Sequence, residues 1–301
     1  MSKRLSQQPK EWIDRKKPIK FRFEGHDFKG FEGDRLSTAL WASGVRVLGR
    51  SFKYHRPRGI LSLSGLDCNA LAENQTSTNV RMDSTLIQDG MEFRAVNTWG
   101  GTQSDRYRIM DLFSSLMPVG FYYKTFHRPS WLFPFFERKL RQVAGLGKVH
   151  PDQILRKTPK RYDFCDLLVI GSGPAGLSSA LIAGKLGLKV LIVEEEVHPG
   201  GTLSYQLFSE QEGPGTLNRL LSEIANHSNI EIRTQTSAAG YYADHWIALV
   251  DPQKMTKLRA RSVIVSSGCY EQLCVFRNND LPGVMLASAA QKLIYQFAVR
   301  P

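Results

Sequence analysis

The stretch DLLVIGSGPAGLSSALIAGKLGLKVLIVE, residues 166–194, decides the fold. Asp166–Ile170 is a continuous apolar run of the kind buried on both faces in a parallel sheet. Gly171, Gly173 and Gly176 follow in G-x-G-x-x-G spacing, then a helix of small residues, then a second strand, Lys189–Val193, that ends at Glu194. Gly171 permits the tight strand-to-helix turn, and Gly173 leaves the backbone open to a pyrophosphate. Gly176, with Ala180 and Ala183, lets the helix lie close on the sheet. Pro174 suits the first helical turn, where its missing N–H costs nothing, and Ala175 continues that turn. The first-turn N–H groups and the helix dipole then face the phosphates. Glu194 lies 23 residues after Gly171, where an acid accepts hydrogen bonds from ribose hydroxyls.

Glu194, Glu195 and Glu196 are acidic where a 2′-phosphate binder needs arginine, which disfavours NADP. The motif leaves NAD and FAD open, because both present the same ADP half. HPGGTL, residues 198–203, follows the second strand, and Gly200, Gly201 and Thr202 are candidates to bring backbone close to the cofactor. SVIVSSGCYEQ, residues 262–272, is an apolar strand ending at Ser266, Ser267 and Gly268. It resembles the strand–ATG motif of flavoproteins with two dinucleotide-binding sites. Between these segments, Thr216–Asn226 has Leu217, Leu220, Leu221 and Ile224 on one helical face. Strands are expected at Ile230–Thr234, around Tyr241, at Trp246–Val250 and at Leu258–Val265, which adds an antiparallel insertion to a parallel sheet.

N-terminal to this unit the chain changes character. Residues 1–17 carry Lys3, Arg4, Lys10, Arg15, Lys16 and Lys17 against Glu11 and Asp14, and are expected to be a disordered basic arm. Two alternating strands flank a turn at Glu24–Asp27 and lead into a short helix. Asp34 is its expected N-cap, Leu36, Ala39, Leu40 and Val45 its buried stripe, and Gly44 its terminator. GRSFKYHRPRGI, residues 49–60, opens a loop rich in glycine, proline and basic residues. Further strands are expected at Ser77–Arg81 and Met91–Val96. Residues 120–140 hold eight aromatic residues in twenty-one, which suits either a partner platform or a connector laid over a domain interface. Residues 148–161 have the proline and charge content of a linker. The resulting divisions are an arm at 1–17, a first domain at 18–98, a connector at 99–161 and a dinucleotide-binding domain at 162–301.

The whole chain has 301 residues and a formal net charge of +12. That charge suits an acidic partner or an anionic surface, but no nucleic-acid-binding signature accompanies it. No run approaches the length of a membrane span, and the basic N-terminus lacks the apolar segment of a secretory signal. The four cysteines, Cys68, Cys165, Cys269 and Cys274, form no CxxC pair and match no zinc spacing, so free thiols in a reducing, cytoplasmic setting are expected. No metal ligands and no catalytic acid, base or nucleophile are assigned. His55 and His127 stand in Arg-Pro segments and are expected to have surface or structural roles.

The order of five stretches resembles one family, the alpha subunit of heterotetrameric sarcosine oxidase. They are GRSFKYHRPRGI, MPVGFYYKTFHRP (117–129), VAGLGKV (143–149), the Rossmann unit with GGTL, and VFRNNDLPGVMLASA (275–289). The resemblance implies a ferredoxin-like (β-grasp) N-terminal domain followed by a Rossmann-type, doubly wound parallel sheet, an α/β and α+β combination incomplete at its C-terminus. It also implies an oxidoreductase subunit within a complex that demethylates sarcosine to glycine and passes the one-carbon unit to folate. The implied partners are a flavoprotein beta subunit and small subunits, without nucleic acid or membrane. In such a complex NAD is the implied occupant of Gly171, Gly173, Gly176 and Glu194, with FAD as the alternative. A [2Fe–2S] cluster needs four thiolates, and Cys68 stands alone in the N-terminal loop, so no cluster is expected. The chain is expected to be an N-terminal fragment or a truncated product. An FAD-dependent amine, proline or opine dehydrogenase subunit, and a non-catalytic assembly module, are the competing readings.

Overall fold

The computed structural model describes residues 4–67, 70–116, 120, 128–143, 147, 149–151, 158–206 and 213–301. Cys68, His127 and most of the MPVGFYYKTFHRP stretch lie outside them. The chain divides into two compact units, Met1–Gln153 with Glu271–Pro301, and Ile154–Tyr270.

In the first unit, β1 (Asp14–Phe23) and β2 (His26–Glu32) form a hairpin turning at Glu24–Gly25. Ile19, Phe21 and Phe23 alternate inward while Lys20 and Arg22 face out, the two-residue period of a half-buried strand. Then come α1 (Leu36–Ala42), the short ladder β3 (Gly49–Arg50) with β4 (Pro57–Arg58), β5 (Leu71–Glu73), β6 (Val80–Arg81) and β7 (Glu92–Ala95). The main sheet has the order β2-β1-β7-β5-β6, with β7 parallel to β1. Phe21, Leu36, Leu40, Trp41 and Phe93 anchor its core. The connector holds a 3-10 segment at Arg106–Leu116, another at Ser130–Leu132, and α2 (Phe133–Val143).

Several expectations are corrected here. Residues 4–17 are ordered, not a free arm. Arg4 bridges to Val299 and ion-pairs with buried Asp34, Ile13 is buried, and β1 begins at Asp14. Of the basic residues that suggested disorder, Arg15, Lys16 and Lys17 lie on β1 and Arg4 is turned onto Asp34. Arg35, not Asp34, occupies the N-cap of α1. The Asp34 carboxylate is turned inward, accepting from Phe31 N at 2.9 Å and Thr38 Oγ1 at 2.9 Å. The loop after residue 49 is short of regular structure, yet it buries Ile60 and Leu63 completely.

The largest correction concerns the C-terminal segment, expected to continue the dinucleotide-binding domain. Residues 271–301 belong to the first unit. Leu286, Ala289, Leu293 and Phe297, spaced as one face of α5 (Ala287–Tyr295) and its flanks, are buried in the same core as Trp41, Leu48 and Ile60. Lys292 Nζ adds a hydrogen bond to Leu63 O at 3.1 Å.

The second unit contains β8 (Lys160–Ile170), α3 (Pro174–Lys185), β9 (Val190–Val193), α4 (Pro214–Ala225), β10 (Ile230–Arg233), β11 (Ser237–Tyr242), β12 (Trp246–Val250) and β13 (Met255–Val265). Its sheet has the order β10-β9-β8-β13-β12-β11. The first four strands run parallel, β12 pairs antiparallel with β13, and β11 antiparallel with β12. β8 starts at Lys160, earlier than expected, because its first residues pair with Met255–Ala260. α3 and α4 bury Leu177, Leu181, Leu217 and Leu220 against Leu167, Val169, Val190 and Ile192. Leu168, Leu191, Ile247 and Leu258 form a separate apolar cluster.

Candidate dinucleotide site

The site lies within the second unit, where β8 and β9 end and α3 begins. Gly171 N donates to Val193 O at 2.9 Å, tying the turn to the end of β9. Its φ of +100° is open to glycine, and a Cβ there would lie 2.5 Å from Ser266 O. A Cβ on Gly176 would lie 2.0 Å from Gly171 O, so α3 approaches the turn as closely as backbone permits. Ser266 Oγ donates to Ile170 O and Gly171 O, each at 3.0 Å, and holds the end of β13 on that turn.

Gly173 is the N-cap of α3, extended at φ −69° and ψ −178°, with no side-chain cap. Among the described residues, its chain neighbours aside, no atom lies within 4 Å of where its Cβ would stand, and Pro174 and Ala175 are exposed. The positive end of the helix dipole thus opens on solvent, with space for an anion at Gly173. Gly200 N donates to Ser172 O at 3.0 Å, and a Cβ on Gly201 would stand 3.0 Å from Gly173 Cα. Gly200 and Gly201 therefore border the turn. Thr202 is half-buried in the following 3-10 turn, where its carbonyl accepts from Gln206 N at 2.9 Å.

Glu194 is half-buried beside the turn. Its Oε2 accepts from Ser172 N at 2.9 Å and Ser172 Oγ at 2.6 Å, and its Oε1 from Glu196 N at 3.0 Å. Glu195 is exposed. Gly268 is exposed as well, with no described residue other than its chain neighbours within 4 Å of its would-be Cβ, and it is Ser266 that stands against the turn. Ser172 and Ser266 are the residues missed from sequence. One is a variable position inside the glycine motif, and the other stands where the ATG pattern has alanine. Burial pushes the His198 imidazole down, with Glu196 acting in the opposite direction.

Two family models match the chain. One, described as "2Fe-2S iron-sulfur cluster binding domain", covers residues 16–98, and one described as "FAD dependent oxidoreductase" covers residues 166–273. Sarcosine oxidase subunit alpha of Rhizobium meliloti (strain 1021) is 34% identical, over 96% of this chain and 31% of that protein. The chain is a homologue of sarcosine oxidase subunit alpha. A second relative with that name, from Corynebacterium sp. (strain P-1), is 27% identical over 98% of this chain and 28% of its own length. The chain thus spans about a third or less of the sarcosine oxidase alpha subunits that it matches. The crystal structure of L-proline dehydrogenase from P. horikoshii superimposes with a TM-score of 0.66 over 98% of this chain and 50% of that one. At 19% identity this likeness is one of fold.

The N-terminal match raises the question of an iron–sulfur cluster, which takes four thiolates in plant-type domains. By position, Cys274 belongs to the first unit, a correction to its expected place in the dinucleotide domain, so that unit has Cys68 and Cys274 alone. Cys165 is buried among apolar side chains of the second unit, its thiol pushed up to about 11 by burial and by Asp163. Among the described residues no group of three or more His, Cys, Asp or Glu is placed to hold a metal ion. The loop Ile60–Asp67 is organised by carboxylates instead. Asp67 Oδ1 accepts from Ser62 N at 2.5 Å and Ser62 Oγ at 2.8 Å, and Asp67 N donates to Asp83 Oδ2 at 3.3 Å. The donor set does not fit a four-thiolate cluster.

His55 is buried rather than superficial. Its Nδ1 lies 2.7 Å from Asp105 Oδ2, and its ring packs 5.2 Å from that of Tyr107. This places it in the framework of the first unit. No helix among the described residues is long and apolar enough to cross a membrane.

Proposed function

We propose that residues 154–270 bind the ADP half of a dinucleotide without a 2′-phosphate, within an alpha-type subunit of a hetero-oligomeric amine oxidoreductase. The open N-terminus of α3 at Gly173, bordered by Gly200–Gly201 and by the Glu194 carboxylate, carries the reading. Pyrophosphate oxygens would meet the first-turn N–H groups of α3, and a ribose hydroxyl would meet Glu194. The dinucleotide would supply the hydride chemistry; the chain's residues bind and orient it. The family match over residues 166–273 supports FAD as occupant. NAD rests on the resemblance alone.

The relatives are named as subunits, which supports a partner-dependent enzyme here too. In this reading sarcosine or a related secondary amine is oxidised on a flavoprotein beta subunit, with folate as one-carbon acceptor, in the cytoplasm. The N-terminal unit is a cluster-free scaffold. An assembly role is favoured by α2, none of whose described side chains is buried, with Phe135 on it and Trp131 just before it exposed.

Titrating the purified, cofactor-stripped chain with FAD, NAD and NADP tests the site. FAD or NAD is expected to bind, and NADP at least about tenfold more weakly, since its 2′-phosphate would face Glu194. Equal binding of NADP, or binding of none, would overturn the assignment.

A further inference from the structure

The Glu194 carboxylate is already partly engaged. Two ionised oxygens offer about four acceptor positions. Ser172 fills both positions of Oε2 with its N–H and its hydroxyl, and Glu196 N fills one of Oε1. Ser172 is completely buried, and its carbonyl also accepts from Gly200 N, so the residue ties the glycine turn, the acid and the Gly200–Gly201 loop together. Its hydroxyl has little room to turn elsewhere.

We infer that Ser172 is a specificity-determining positioning residue: it holds Glu194 Oε2, so that the acid recognises a single ribose hydroxyl, through Oε1. A carboxylate with both oxygens free would clasp the 2′- and 3′-hydroxyls together. This inference rests on the proposed dinucleotide site and adds which part of the ribose is read.

The test is calorimetric titration of the full chain, as purified and stripped of nucleotide, with ADP, 2′-deoxy-ADP and 3′-deoxy-ADP. In the wild type one deoxy analogue is expected to bind about tenfold more weakly than ADP, as for loss of a hydrogen bond to a charged group, and the other within about twofold. In Ser172→Ala the freed position on Oε2 admits the second hydroxyl, and both analogues are expected to lose affinity relative to ADP. A structural role alone would weaken all three ligands together and leave their ratios unchanged. Equal dependence on both hydroxyls in the wild type would overturn the inference, even if the variant failed to fold. So would unchanged ratios in a folded Ser172→Ala. Failure of the wild type to bind ADP at all would instead overturn the site itself, and the inference with it.

Discussion

Ser266, at the end of β13, donates its hydroxyl to the carbonyl of Gly171 at 3.0 Å, across the turn that opens the candidate site. That bond joins the fourth parallel strand to the glycine motif on the first. It also explains why neither Gly171 nor Gly176 has room for a side chain, since atoms of Ser266 lie within 3 Å of both would-be Cβ positions.

Gly176→Ala is accordingly expected to push α3 off the turn, because its Cβ would stand 2.0 Å from Gly171 O and backbone cannot rotate away. Dinucleotide affinity should fall by well over tenfold while far-ultraviolet circular dichroism is retained. Unchanged affinity measured by titration would show that close helix–turn packing is not what forms the site.

Asp83 should make the N-terminal unit more stable in mild acid. Burial first, and the Asp67 carboxylate second, push its carboxyl up from the ordinary 3.8 to about 6. Among the described residues, Oδ2 of Asp67 and Oδ1 of Asp83 are both buried without a hydrogen-bond partner, with Arg35 as the opposing charge. A raised carboxyl binds its proton more tightly when folded, so its stabilisation is present below about pH 4 and lost as pH rises through about 6. The contribution is on the order of 3 kcal/mol. Denaturant unfolding at pH 5 and 7.5 should show it as a difference between wild type and Asp83→Asn, the variant having the flatter profile. Parallel profiles would refute it.

Asp105 should behave in the opposite sense. Burial raises its pKa, but the His55 ring and the N–H groups of Trp99 and Tyr107 outweigh it and hold the carboxyl below its ordinary value. Its stabilisation is present above that value and lost on acidification. Removing one member of this buried pair, as in Asp105→Ala, should cost about 3–5 kcal/mol in urea unfolding at pH 7. A loss below about 1 kcal/mol would mean that His55 finds another partner.

Leu293→Ala tests where the C-terminal segment belongs. The side chain is fully buried in the first unit's core, and truncation should cost about 2–5 kcal/mol. Hydrogen exchange should accelerate in β1, β7 and α1. Acceleration confined to β8–β13 would contradict the assignment.

The glycine motif made the second unit legible from sequence because its spacing has one structural solution, a strand turning into a helix. Glu194 was legible for the same reason. Its engagement by Ser172 was not, since position two of the motif carries no side-chain requirement of its own. The alternation of Ile19, Phe21 and Phe23 announced a strand, but the basic residues before it hid the pairing of Arg4 with Asp34, a contact 30 residues apart in sequence. Leu286, Ala289, Leu293 and Phe297 have the spacing of one helical face, but that spacing does not show which core covers it. Periodicity identifies a buried face and says nothing of its partner.

The proposed site holds a dinucleotide at residues 171–176. Heat-denaturing the protein as purified and resolving the released small molecules by chromatography tests it most directly. One FAD or NAD per chain, absent from Gly176→Ala, is the predicted result. A wild-type supernatant with neither, from protein that also fails to take up either when added, would contradict it.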